Sequence, residues 1–414
     1  MEQQELIYDW NALERANAFP TTVEVCDETL RDGLQSPSVR DPKIEDKFEL
    51  ITLMDELGIT IANIGLPGAG PRAFADVLAI AHFVKQHRLN LMVNCAARTV
   101  RADIEPIATI QQRAGIAITA YCFLGTSPIR QTVENWDLDK LKATAEEAIK
   151  FAHQENLKVA FVTEDTTRSN KATLGLLFNH AIGLGVERLV LCDTVGYATP
   201  DGVKALVGFT KNLIKDTRQD VKIDWHGHND RGLAVANALC AAQYGCHRLH
   251  GTALGIGERV GNTALDQLIV NLKLEHAYPH GVSSLSRYVE TVSRVCRTPI
   301  PANYPVFGSD AFRTATGVHA SAVIKAQQRH DDVLANTVYS GVPAHWFGKA
   351  QVIEIGPMSG ASNVKHWLSQ HSYDVTDDLV KALLNFAKNQ AAVLTEAQLK
   401  EFLAAYFKNA APQV

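Results

Sequence analysis

Eight short apolar runs alternate with eight longer amphipathic ones, and this rhythm constrains the fold more than any other feature of the chain. The short runs lie at 23–26, 61–66, 91–95, 116–122, 159–162, 188–192, 222–226 and 248–252. Each is largely apolar and rich in β-branched residues, which predicts strands covered on both faces, as parallel strands are. Helical patterns follow them at about 42–57, 71–87, 101–113, 137–154, 171–184, 200–215, 231–244 and 262–275. Asp41-Pro42 predicts a cap and a first-turn proline for the first helix, and Gly58 its end. Thr199-Pro200 opens the sixth in the same way. Within the first helix Ile44, Phe48, Ile51 and Met54 share one side. Eight strands and eight helices over roughly 260 residues predict an α/β fold, a (β/α)8 TIM barrel. An open doubly wound sheet is the alternative, and it usually has fewer strands.

After Ala277 the rhythm breaks, and Pro, Tyr, Ser and Gly are frequent to about residue 309. The segment 312–325 reads as helical again. So do the last fifty residues, where Thr376-Asp377-Asp378 opens one helix and Thr395-x-x-Gln398 has the spacing of a capping box. The expected organisation is an N-terminal extension (1–20), the barrel (21–285), a linker with a subdomain that covers the site (286–360) and a helical C-terminal subdomain (361–414). The barrel is thus followed by a smaller, mostly helical region. The final Asn-Ala-Ala-Pro-Gln-Val is expected to fray.

Charge and cysteine usage exclude several function classes. Lys and Arg number 40 against 45 Asp and Glu, so no basic footprint for nucleic acid or a membrane surface is present. No apolar run approaches the ~18 residues of a transmembrane helix, and the first residues lack the pattern of a secretory signal. The seven cysteines are odd in number and scattered, without a Cys-x-x-Cys pair, which predicts reduced thiols and a cytoplasmic protein. Cys26, Cys95, Cys122 and Cys192 fall in strand-like runs and read as small core residues.

Barrel enzymes carry their chemistry on the loops after the strands, and five such loops here hold the polar residues. They are Asp27–Gly33, Thr163–Arg168, Asp193–Gly196, His226–Asp230 and Gly255–Asn262. His226-x-His228 is the most specific element, because residues i and i+2 of a strand share a face and both imidazoles can reach one ion. Asp32 can add a carboxylate and Asn262 an amide oxygen, a donor set suited to a divalent Mn, Mg, Zn or Co ion. The alternative is two histidines satisfied by core hydrogen bonds. Arg31 is either a surface partner of Asp32 or a cation that stabilises a developing oxyanion. One of Glu164 and Asp165 is expected to cap the fifth helix. Glu258-Arg259 reads as a structural pair, and His319 alone as a surface or core histidine.

Taken together and in order, DETLRDGLQS, EDTTRS, DTVGYATP, HGHNDRGLAVAN and GIGERVGN resemble a superfamily of metal-dependent barrel enzymes. It comprises the 2-isopropylmalate, citramalate and homocitrate synthases and 3-hydroxy-3-methylglutaryl-CoA lyase, and the resemblance covers about residues 20–365. It implies metal ligation by Asp32, His226, His228 and Asn262. It implies catalytic roles for Arg31, Glu258, His319 and Tyr339, the last two in FRTATGVHAS and NTVYSGVPA. Arg31, Gln35, Glu164 and Thr194 would contact substrate. The implied reaction condenses acetyl-CoA with a 2-oxo acid and releases CoA, most like 2-isopropylmalate synthase acting on 2-oxoisovalerate in leucine biosynthesis, with a cytoplasmic homodimer as the working form. Ala160 and Val162 stand where homocitrate-type enzymes hold a distal carboxylate, which favours a neutral side chain. Leu34 departs from the synthase pattern toward the lyase, so cleavage of a 3-hydroxyacyl-CoA is an alternative, as is citramalate or homocitrate synthesis. A non-catalytic binding protein on a retained barrel is a third. The chain stops near residue 414, short of the large leucine-binding domain of the usual synthase, so feedback inhibition by leucine is not expected.

Overall fold

The structure is a computed structural model that describes residues 6–13 and 17–410. The chain divides into two compact units, Met1–Pro299 and Ile300–Val414. In the first, eight parallel strands close into a barrel: β1 (Glu24–Asp27), β2 (Ile61–Asn63), β3 (Met92–Arg98), β4 (Ile118–Gly125), β5 (Lys158–Glu164), β6 (Arg188–Asp193), β7 (Lys222–Gly227) and β8 (Arg248–Gly251). The seam is a parallel β1–β8 pairing that sets Cys26 against His250 and Asp27 against Gly251. All eight expected strands form, because runs buried on both faces are what such a barrel requires.

Besides one helical turn at Trp10–Leu13, the helices are α1 (Ile44–Glu56), α2 (Pro71–His87), α3 (Arg101–Ala114), α4 (Pro128–Glu134), α5 (Leu138–Gln154), α6 (Lys171–Gly183), α7 (Pro200–Thr217), α8 (Ala234–Tyr244), α9 (Leu265–Leu274) and α10 (Leu285–Cys296). Thr199 caps α7 as expected, its hydroxyl accepting from the Gly202 amide, with Pro200 in the first turn. The cap expected for α1 does not form. The helix starts at Ile44, and Asp41 instead pairs with Lys47 and Arg72. Neither Glu164 nor Asp165 caps α6; Asn170 does, through its side-chain oxygen and the Thr173 amide. Asp165 instead grips Arg168 with both oxygens, at 2.7 Å each.

Two of these helices lie outside the expected set. α4 is short and buries none of its residues, so it leaves no apolar stripe to read. α10 carries the first unit past residue 285 and sits amid Pro- and Ser-rich sequence. It buries Leu285, Tyr288, Val289 and Val292 at helical spacing, and the Tyr288 hydroxyl bonds Asp27 at the end of β1.

The second unit contains α11 (Gly317–Gln328), α12 (Asp332–Thr337), α13 (Ala361–Gln370), α14 (Asp377–Lys388), α15 (Glu396–Ala410) and a two-stranded parallel ribbon of β9 (Arg313–Thr314) and β10 (Val352–Ile353). Val364, Leu368, Leu383 and Leu403 centre its main core. Thr376 caps α14. The Thr395–Gln398 capping box closes reciprocally, each side chain accepting from the other's backbone amide. The expected fraying concerns residues whose last four lie outside the described part.

Candidate active site at the barrel mouth

Three strands bring a polar cluster together. Asp224 and His226 occupy alternate positions of β7, and His228 continues that alternation one residue past its end, so all three turn to the barrel interior. A bridge between His228 and Asn262 folds the loop after β8 back against β7, and Asp32 arrives from the loop after β1. His226 Nε2 lies 3.6 Å and His228 Nε2 3.9 Å from Asp32 Oδ2. Donor atoms of Asp32, His226 and His228 all lie within 4.8 Å of one another, and all three residues are buried. Asn262 adjoins them, its amide nitrogen 3.0 Å from Asp32 Oδ1, while its Oδ1 is buried with no hydrogen-bond partner.

This arrangement fits a divalent cation on several counts. The donors are two imidazoles, a carboxylate and an orphaned amide oxygen. Burial pushes the Asp32 carboxyl up, but Arg31 and the two histidines outweigh it and hold the group below its ordinary value. Burial and the neighbouring His226 push His228 down to about 4, so it is neutral at pH 7 with a lone pair to give. Gly257 keeps the cradle open: at φ +153 it takes a conformation side chains rarely adopt, and a Cβ there would meet Asn262 Nδ2 at 2.1 Å.

Arg31 lies beside the cluster. It donates to Asp32 Oδ2 at 2.7 Å and to Glu28 Oε1 at 2.6 Å, and its Nε is buried without a partner. A cavity of about 280 Å³ opens in front of it. Gln35, Glu164, Thr194 and Glu258 line it with the cluster; Leu66, Ala96, Phe123, Val162, Val190 and Cys192 supply an apolar wall. Cys192 is thus a cavity residue as well as a core one. Ala160 is fully buried beneath it, against Tyr121 and Val190. Glu164 pairs with Arg130 at 3.1 Å, and burial raises its carboxyl despite that cation. Arg259 turns away from Glu258, 3.6 Å off, toward Asp230 at 2.9 Å and the Thr194 carbonyl at 2.6 Å, which ties three rim loops together.

Of the sequence-predicted residues, this cavity gathers Arg31, Asp32, Gln35, Glu164, Thr194, His226, His228 and Glu258, with Asn262 adjoining. His319 and Tyr339 belong to the second unit, where their rings stack on each other at 4.1 Å, both exposed. Sequence reasoning missed Glu28 and His250. Glu28 accepts from His226 Nδ1 at 2.6 Å and meets His250 Nδ1 at 3.3 Å, while His250 Nε2 meets Asp224 Oδ2 at 3.2 Å. Asp224 is also held by Arg188 at 2.7 Å and Tyr121 at 3.1 Å, and Arg248 donates to the Tyr121 hydroxyl at 2.7 Å. A chain of paired charges therefore runs down the barrel interior beneath the cluster.

Comparison with known proteins agrees with this picture. The family described as HMGL-like matches residues 22–292. The chain is 31% identical over 383 residues to 2-isopropylmalate synthase of Cronobacter sakazakii, covering 90% of this chain and 70% of that protein. It is 32% identical over 387 residues to homocitrate synthase AksA of Methanothermobacter thermautotrophicus, covering 90% of each. The HMG-CoA lyase structure from Bacillus subtilis matches in fold with a TM-score of 0.57 at 20% identity, over 69% of this chain and 97% of that one. Among the described residues no helix is long and apolar enough to cross a membrane.

Proposed function

The chain belongs to the HMGL-like family, and from that premise we propose that it is a metal-dependent acyltransferase that condenses acetyl-CoA with a 2-oxo acid and releases CoA. The observation that carries this reading is the convergence of Asp32, His226 and His228 beside Arg31 in one cavity. With Asn262 they would hold the cation, which when bound polarises the 2-oxo acid carbonyl as a Lewis acid. Arg31 keeps its Nε donor for a substrate oxygen and stabilises the alkoxide as it forms. Glu164, Thr194, Gln35 and Glu258 line the cavity in which the 2-oxo acid would sit. The resemblance of FRTATGVHAS supports His319 as the acid or base that moves the proton of the acetyl methyl, with Tyr339 stacked on it in support. His319→Ala is expected to lower kcat by about 10²- to 10⁴-fold with metal content unchanged. A wild-type kcat in that variant removes His319 from the chemistry.

The apolar wall supports a 2-oxo acid with a neutral aliphatic side chain, 2-oxoisovalerate above all, because a second carboxylate against Val162 and Phe123 would be desolvated without a partner. The family likeness supports leucine biosynthesis and a cytoplasmic homodimer as the setting. A thiol-release assay over a panel of 2-oxo acids tests the proposal. 2-Oxoisovalerate or pyruvate is expected to exceed 2-oxoglutarate in kcat/KM by at least about 10-fold, since rejecting an unpaired buried charge is worth more than 1.4 kcal/mol. Preference for 2-oxoglutarate overturns the choice of substrate. Absence of CoA release with every acid, metal supplied, overturns the condensation itself.

A further inference from the structure

Glu28 stands at the centre of the cluster without belonging to the presumed ligand set. Its carboxylate is almost wholly buried, and its two oxygens face different partners. Oε2 meets His226 Nδ1 at 2.6 Å. Oε1 takes Arg31 Nη2 at 2.6 Å, with His250 Nδ1 at 3.3 Å and Asn63 Nδ2 at 3.4 Å. A carboxylate offers about four lone-pair sites, and four side-chain donors surround this one. Its capacity is filled, so Glu28 is poorly placed to ligate an ion itself, although its oxygens lie near Cys26 and His250.

We propose that Glu28 is the positioning residue of this site, fixing His226 in the tautomer that leaves Nε2 bare toward Asp32 while holding Arg31 with its other oxygen. The proposal rests on the reading of Asp32, His226 and His228 as metal ligands. To donate to a carboxylate, His226 Nδ1 must carry the hydrogen, so the tautomer that Glu28 selects is the one with an unprotonated Nε2. That nitrogen is the one 3.6 Å from Asp32 Oδ2. Because one carboxylate holds both His226 and Arg31, a cation ligand and the guanidinium beside the cavity move as one piece. His250 braces Glu28 from below and is itself pinned by Asp224.

Glu28→Gln keeps the shape but replaces one acceptor oxygen by a donor. It must give up either Arg31 or the Nδ1–H of His226. Titration of the protein with Co(II) or Mn(II) by calorimetry is expected to show affinity reduced about 10- to 100-fold in this variant, with an altered Co(II) visible spectrum and a loss in kcat rather than in KM for the 2-oxo acid. Glu28→Asp keeps an acceptor and is expected to recover part of the affinity. Unchanged affinity and spectrum in Glu28→Gln overturn the proposal alone. A folded wild-type protein that takes up neither ion overturns the metal reading and this proposal with it. Histidine nitrogen NMR of the metal-free wild-type protein needs no variant: protonated Nδ1 with bare Nε2 at His226 supports the assignment, and the reverse tautomer overturns it.

Discussion

Asp32→Asn is expected to yield a folded protein that retains no divalent ion and releases CoA at least about 10³-fold more slowly than wild type. Asp32 brings the carboxylate to a cluster whose other donors are the imidazoles of His226 and His228 and the amide of Asn262. The substitution keeps the volume and removes the charge. It also removes one of the two acid partners of Arg31, leaving Glu28 to hold the guanidinium. Loss of a Lewis acid removes several kcal/mol of transition-state stabilisation, and each 1.36 kcal/mol is about tenfold in rate. Metal analysis of the purified variant and thiol release under excess Mn or Mg check this directly. Retained metal with turnover within tenfold of wild type would mean that the cluster is not the catalytic centre.

Asp224→Ala is expected to cost about 3–5 kcal/mol of stability, the typical penalty when a buried ion pair loses one partner. Asp224 is fully buried and closes a network of Arg188, Tyr121, His250 and, at 3.7 Å, Arg248. Burial favours its neutral form, but His250 and the two arginines outweigh this and hold the carboxyl down at about 2. Because that value lies below the ordinary one of 3.8, the charged network contributes stability above about pH 4 that is lost as pH falls toward 2. Alanine leaves two guanidinium groups under the barrel, of which Glu24 answers only part. Denaturant unfolding at pH 7 reads the cost. A loss below about 1 kcal/mol would show that water or relaxation replaces the lost carboxylate.

The strands, the rim loops and the paired histidines were legible in the sequence because each is a local pattern. Parallel strands announce themselves by continuous apolar runs, and His226-x-His228 needs only the two-residue period of a strand. Glu28 was not legible in this way. Its role depends on a partner 198 residues away, brought near only when β1 and β8 pair. The same holds for the Asp224 network, where Tyr121 lies 103 residues from its acceptor. α10 could have been found from Leu285, Tyr288, Val289 and Val292, had the surrounding Pro and Ser residues not masked its period. The Asp41-Pro42 signal failed because Asp41 had stronger partners in Lys47 and Arg72 than an amide.

The seam of the barrel carries a consequence for biosynthesis. Asp32 leaves the ribosome early, but its companions follow nearly two hundred residues later and Asn262 last of all. No nascent chain shorter than that can offer the complete donor set, however well its early segments have collapsed. An ion bound there would favour molecules whose first and last strands have met, and would add to their folding stability. On the metal reading, cation binding and ring closure would be thermodynamically linked.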